Sequence, residues 1–431
     1  MRRRPRDAPI ARRQEPRPHR RRPFRDARDD PGVRARAPGG VARGRRGAGS
    51  PRGALPRACR ARGAGAETGA NQHVWLETLA AEHENLRAAL DRYDGEAESL
   101  RFAAALVLFW FIRGFYREAL QRLEHTLAAR EGERSRPRAV ALWGAGFLYS
   151  LFGDEERALP LLEESLALAR ELGDESSVAR CLDILGLYAF FANEPQRARE
   201  LLEESVVLAR RSGDNWCLAD ALGTLGSIYP LQGEAELADS VASEGLAIAR
   251  RFGDRQGMRM SLFGLALAAA RRGELEAARA RAEEGLAISR EIGDGWFISY
   301  FLWILAGVEL DSGNPRAARA DAEESLQLAR ELAAPLLLVC ALRALAAVHR
   351  AERDYEGART HLLEAEEIGR GAVLPHSYLA SVQRGLGELA AARGDGMEAR
   401  RRLEEALRLA EGVGDSWEAE RVHEALARLV K

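Results

Sequence analysis

The chain has 431 residues and a formal net charge of −1, and its only lysine is Lys431, so 63 of its 64 basic side chains are arginine. This excludes a P-loop, Schiff-base or SxxK lysine from the folded part; four cysteines without CxxC spacing and eight histidines without an HExxH pattern imply no metal, disulfide framework or other cofactor. The longest apolar run, Phe102 to Ile112, is 11 residues, too short to cross a bilayer, and the basic start has no apolar h-region, so the expected setting is the cytoplasm, away from membranes, with Cys181, Cys217 and Cys340 as reduced, buried thiols.

Residues 1–70 hold 21 Arg against 6 Asp or Glu, whereas residues 71–431 hold 43 basic and 59 acidic side chains. The first segment is Arg, Pro, Gly and Ala with one aromatic, Phe24. It cannot bury enough apolar surface to offset its ordering entropy and is expected to be disordered. Three readings stay open: a stretch translated out of frame from a GC-rich gene, an inert linker, or a basic arm touching nucleic acid. The acidic remainder makes nucleic acid an unfavourable partner for the rest of the chain.

Residues 71–97 read as an N-terminal capping helix. Trp75, Leu76, Leu79, Leu86 and Leu90 recur at helical spacing, with Glu77, Glu82, Glu84 and Arg87 on the other face, and Gly95 ends the pattern.

From about residue 98 a unit of 40 residues repeats. Its tag reads EESLALARELGD at 163–174, EESVVLARRSGD at 203–214, SEGLAIARRFGD at 243–254 and EEGLAISREIGD at 283–294. A fixed period of this length marks stacked supersecondary units, each able to bury its apolar face only against neighbours. Each unit divides into helices A and B, as in Glu175–Ala192 and Gln196–Arg211. The Gly-Asp pair is expected to end helix B with a left-handed glycine and cap the next helix A with the carboxylate. A small residue late in helix A precedes an alanine in helix B by 12 positions, as in Gly146 and Ala158, Gly186 and Ala198, Gly226 and Ala238, and Gly387 and Ala399. Such pairs permit a close helix crossing. Seven positions on, Ser165, Ser205, Gly245, Gly285 and Ser325 are placed to meet the next unit's A helix. The glutamate pairs, such as Glu163-Glu164, read as a solvated face paired with Arg at helical spacing.

Leu185-Gly186, Ala198, Leu202 and Ser205, with Leu225-Gly226, Tyr229 and Ala238, resemble the tetratricopeptide repeat, although the period is 40 rather than about 34. The resemblance implies an all-α, right-handed superhelical solenoid of eight helix pairs over residues 98–431, with a closing helix from Ser416, and weak register at Ala333-Ala334 and at 371–376. More narrowly, Trp75-Leu76 to Leu90 resembles the junction before the repeats of LuxR-type and related bacterial signal-transduction ATPases. No GxxxxGK[ST] or helix-turn-helix accompanies it, so what carries over is a non-catalytic sensor arm of a transcription-linked regulator, binding a protein or peptide partner or a small effector.

In such a solenoid the A helices line the concave face. The candidate binding residues there are Trp143, Phe147, Arg180, Asp183, Phe190, Phe263, Tyr300, Trp303, Arg343 and Arg350; the alternative is that the superhelix closes and buries these rings as core. Trp216, Trp296 and Trp417, each following Gly-Asp, are expected to pack in the first turn of helix A against the preceding B helix. No nucleophile lies beside a base in a recognisable motif, so no catalytic residue is assigned.

Overall fold

A computed structural model describes residues 78–429 apart from 94, 95, 114, 152, 153 and 373. The tail 1–70 and the start of the capping segment, including Trp75 and Leu76, lie outside the described residues. From His83 on, the described residues form α-helices with no strand. Helix α1 (His83–Arg92) buries Leu86 and Leu90 and leads into the pairs α2 (Ala97–Arg113)/α3 (Tyr116–Ala129), α4 (Arg136–Leu151)/α5 (Glu155–Glu171) and α6 (Glu175–Phe191)/α7 (Pro195–Ser212). There follow α8 (Asn215–Ile228)/α9 (Ala235–Phe252), α10 (Arg255–Arg271)/α11 (Leu275–Ile292) and α12 (Gly295–Asp311)/α13 (Pro315–Glu331). The last pairs are α14 (Pro335–Ala351)/α15 (Tyr355–Gly371) and α16 (His376–Ala392)/α17 (Gly396–Gly412), and α18 (Ser416–Leu429) packs on the final pair. The all-α solenoid implied by the repeat is thus the fold.

The Gly-Asp device works as its chemistry demands. Gly213, Gly253 and Gly293 take φ of 73°, 67° and 73°, the left-handed region that only glycine enters without cost. Asp214 then accepts from the Cys217 amide at 3.1 Å and Asp294 from the Trp296 amide at 3.1 Å, capping α8 and α12. At the sixth junction Ala333 must take φ 50° without glycine, and Ala334 supplies no side-chain cap. In the fourth unit Pro230 cannot continue an α-helix, and the A helix finishes as a 3₁₀ turn over Tyr229–Gln232.

Close approach of A to B is visible atom by atom. A Cβ on Gly146 would lie 2.8 Å from the Leu162 Cγ and 3.2 Å from the Ala158 carbonyl, and one on Gly186 would lie 2.6 Å from Leu202 and 3.3 Å from the Ala198 carbonyl. The partner alanines Ala158, Ala198, Ala238, Ala278, Ala318, Ala358 and Ala399 have no exposed surface. The second small position is wedged between two A helices. Ser165 donates to the Ala139 carbonyl of its own unit at 2.7 Å and accepts from Cys181 of the next, while Gly285 leaves the space that the Phe301 ring occupies. A helices are therefore apolar on nearly every side, as α12 is, whereas B helices keep one polar outer face.

That outer face extends the sequence reading of the glutamate pairs. Glu323 has the expected partner one turn away, Arg319 at 3.4 Å, but a second set of contacts runs to arginines on the preceding unit's B helix. Arg170 meets Glu204 (3.8 Å), Arg210 Glu244 (2.6 Å), Arg250 Glu284 (2.5 Å), Arg290 Glu324 (2.8 Å), Arg330 Glu364 (3.6 Å) and Arg370 Glu405 (2.9 Å). Each pair is solvated and contributes little alone. Repeated in register, they form a ladder that opposes slippage of one unit on the next.

The tightest A-to-A approach is at Gly264, where a Cβ would sit 2.6 Å from the carbonyl carbon of Gly226. Backbone cannot yield as a side chain can. Gly264→Ala should lower the unfolding free energy by about 1–3 kcal/mol in urea titration, whereas Gly307→Ala, whose Cβ meets nothing within 4 Å, should be neutral or stabilising by up to about 1 kcal/mol. Equal effects of the two would contradict this packing.

Candidate functional site

Curvature brings distant units together. Asn193, in the turn between α6 and α7, donates from Nδ2 to the Leu374 carbonyl (3.1 Å) and accepts from the His376 amide (2.5 Å). At the end of α10, Arg271 donates to both carboxylate oxygens of Asp415 (2.8 and 3.2 Å), and the Trp417 indole donates to the Arg271 carbonyl at 3.1 Å. Arg271 stacks on one side of the indole at 4.4 Å, and Arg421 lies 4.6 Å from the ring. These contacts join residues 144 to 183 positions apart. The superhelix closes on itself, and its inner face becomes interior.

The N-terminal half of that interior is filled. Trp143 stacks on Phe147 (5.6 Å between centroids) and meets Trp216 edge-on (5.8 Å), and Phe111 contacts both Phe147 and Trp216. Arg180 lies over Trp143 and Trp216 and donates to Asp214 at 2.8 Å. Burial opposes the Asp214 charge, yet Arg180 holds its carboxyl below the usual range. Asp183 on α6 and Asp220 on α8 are neighbouring carboxyls; burial raises both, and the charge of Asp220 raises Asp183 further. Arg259 stacks on Phe297 at 3.8 Å and pairs with Asp294, and burial pushes its guanidinium down to about 10. Burial likewise raises the thiols of Cys181 and Cys340 to about 12, leaving them inert.

The side chain one residue after the small crossing position varies along the A helices, being Phe147, Leu187, Ser227, Leu267, Gly307, Ala347 and Glu388 in successive units. Where it is smallest a cavity of about 570 Å³ remains, lined from α10, α12, α14, α16 and α18. Trp303, Tyr378 and Trp417 form its aromatic walls, and Ala270, Gly307, Ala344 and Gly385 leave the space. Its charged groups are Arg271, Arg343, Arg350, Arg384 and Arg421 against Asp311, Glu388 and Glu418. Arg384 is bound to Glu418 (2.6 Å) and Glu388 (2.9 Å), Arg350 pairs with Glu388, and Arg271 is held by Asp415. Arg343 has no carboxylate in ion-pair range among the described residues, and burial lowers its guanidinium. The buried hydroxyl of Ser377 has no hydrogen-bond partner.

Of the residues singled out from sequence, the fold therefore brings Trp303, Arg343 and Arg350 to one cavity. Trp143, Phe147 and Arg180 share the separate, filled cluster, and Asp183 is buried beside it. Phe263 and Tyr300, 4.8 Å apart, are buried in the core, and Phe190 is half-buried at the inter-turn seam beside Asn193, Leu231 and Pro375. The tryptophans after Gly-Asp point inward rather than onto a B helix alone: Trp216 meets rings of α2 and α4, Trp296 meets Tyr300, and Trp417 closes the cavity. Ser377, Arg384 and Arg271 escaped the sequence reading. Arg384 sits in the A-helix pattern that could have flagged it, but the approach of Arg271 to α18 follows from curvature and has no local signal. Among the described residues no group of His, Cys, Asp and Glu is placed to hold a metal ion, and no helix is long and apolar enough to cross a membrane.

The tetratricopeptide-repeat family matches residues 137–211, and the family described as anaphase-promoting complex subunit 5 matches 248–307 and 297–352. No curated protein matches the sequence. Among solved structures, the chain is similar to a Rap protein complexed with competence and sporulation factor (TM-score 0.56, 13% identity, 77% of this chain and 98% of that one). It is also similar to NprR in complex with its cognate peptide NprX (0.52, 13%, 69% and 84%) and to the Rap conjugation gene regulator of plasmid pLS20 in complex with the Phr* peptide (0.52, 14%, 79% and 96%). At these identities the likeness is one of fold: a solenoid of stacked helix pairs like that of tetratricopeptide-repeat proteins.

The interior carboxylates give this scaffold a pH signature. Burial pushes Asp254 up to about 6, against about 3.9 in an unfolded chain. The folded state therefore holds the proton more tightly, and stability falls as pH rises from about 4 to 6. Asp254→Asn keeps a capping oxygen; it should flatten that fall and raise stability at pH 7 by about 1–3 kcal/mol, read from urea midpoints between pH 4 and 7. An unchanged slope would contradict the burial of a charged Asp254.

Proposed function

We propose that this protein is a non-catalytic binding scaffold, the sensor arm of a transcription-linked regulator, working in the cytoplasm and recognising a protein or peptide partner or a small effector on the inner face of its C-terminal units. The observation that supports this reading is the cavity itself. A volume of about 570 Å³ walled by Trp303, Tyr378 and Trp417 and edged by arginines has the size and the mixture of apolar wall and few polar groups of a ligand site. Trp303, Arg343 and Arg350 are assigned to recognition, whereas Trp143, Phe147, Arg180, Phe190, Phe263 and Tyr300 act by shaping the interior. The fold is shared with regulators solved with bound peptides, which is consistent with this assignment. The acidic surplus of residues 71–431 disfavours nucleic acid as the partner of the repeats.

A displayed library of short peptides panned against the full chain should enrich one motif, and Trp303→Ala should weaken its binding at least about tenfold, the loss expected when a buried aromatic anchor is truncated. Enriched peptides indifferent to Trp303→Ala would contradict the assigned site.

A further inference from the structure

We propose that the cavity is a receptor for an organic oxyanion, a carboxylate or phosphate ester carried on a flat apolar body, with the Arg343 guanidinium and the Ser377 hydroxyl as its donors. This deepens the binding-scaffold reading and rests on it. Two independent observations carry it.

First, the charges inside are incompletely matched. Arg271, Arg350 and Arg384 each have a carboxylate partner, whereas among the described residues Arg343 and Arg421 have none in ion-pair range; Arg421 lies against the Trp417 ring, and Arg343 lines the cavity without such a cover. Arg343 is half-buried, and a partly desolvated guanidinium without a carboxylate partner is placed to give paired N–H donors to an arriving oxyanion. Second, Ser377 is only 6% exposed, and its Oγ has no hydrogen-bond partner although it lines the same cavity. A buried hydroxyl without a partner is a vacant donor. Around these donors, the rings of Trp303, Tyr378 and Trp417 offer apolar faces, and Gly307 adds open volume because a Cβ there would meet nothing within 4 Å. Glu388 and Glu418 make their hydrogen bonds to Arg384, and the charge of Glu418 reaches Arg343 without an ion-pair contact. Asp311, exposed at the edge, disfavours an anion placed on its side and directs the charged end toward α14 and α16.

The test is calorimetric titration of the full chain with benzoate, phenyl phosphate and neutral benzamide, and with an aromatic-ended peptide carrying either a free or an amidated C-terminus. At least one oxyanion should bind at least about tenfold more tightly than its neutral counterpart, the scale of a charge-assisted hydrogen bond. Arg343→Gln should abolish that preference, and Gly307→Leu, which fills the open volume, should block binding while the thermal transition is retained. Preference for the free-terminus peptide over the free acids assigns the oxyanion to a chain end, and the reverse assigns it to a small acid; both support the proposal. Binding of benzamide equal to benzoate and phenyl phosphate, an unchanged preference in Arg343→Gln, or no binding of any probe at millimolar concentration overturns it. Enrichment of peptides that depend on Trp303 but show no anion preference would overturn this inference and leave the scaffold reading standing.

Discussion

The architecture depends on how closely helix A can approach helix B. Gly146, Gly186, Gly226 and Gly387 set backbone against backbone, because a single added carbon would lie within 2.6–2.8 Å of a neighbouring side chain. A small residue, Gly or at 266, 306 and 346 Ala, recurs at that crossing, so a similar rotation from unit to unit is favoured. A constant rotation accumulates into curvature, and here the curvature suffices for the turn at Asn193 to reach His376 and for Arg271 to reach Asp415.

Closure changes what the A helices are for. In an open solenoid their inner residues would face water, but here they become a second core around the superhelical axis, with polar groups that must find partners inside. The first units solve this with Arg180 and Asp214 packed between indoles. The sixth and seventh units hold only Gly307 and Ala347 at the register that Phe147 fills in the second, and the axis there is left hollow. Hollowness and mismatched charge coincide there, which is why recognition is assigned to the C-terminal half. On the outside, the Arg–Glu ladder joins each B helix to the next, so the same repeat that sets curvature also sets surface register.

Much of the fold could be read from the sequence, because its causes are local. Gly-Asp punctuation, the Gly-to-Ala interval of 12 and the alternation of apolar and amphipathic helices each act within one unit or between neighbours. The candidate site was legible only in part. Sequence register placed Trp143, Phe263, Trp303 and Arg343 at equivalent positions, but it does not distinguish a filled axis from a hollow one; that depends on which side chains from units two or more apart arrive together. Trp143 is buried with Trp216, whereas Trp303 faces a cavity completed by Trp417. The glutamates of the tag were read against arginines on their own helix, the nearest spacing on a helical net; Arg319 and Glu323 meet that way, but the ladder to the preceding unit's arginines has no local signal. In each case the missing information was the rotation per unit, a sum of small packing differences that no single motif carries.

Closure of the superhelix is the premise on which the interior, the cavity and its charges all rest. It is tested most directly by oxidising the full chain carrying Cys59→Ser with Asn193→Cys and His376→Cys and mapping the cross-link by mass spectrometry, the other native thiols, Cys181, Cys217 and Cys340, being buried. The structure predicts rapid formation of a 193–376 disulfide in the folded protein, with helicity and thermal transition retained. A folded chain in which these two cysteines stay reduced, or pair only between molecules, would contradict closure and reopen the inner face to solvent.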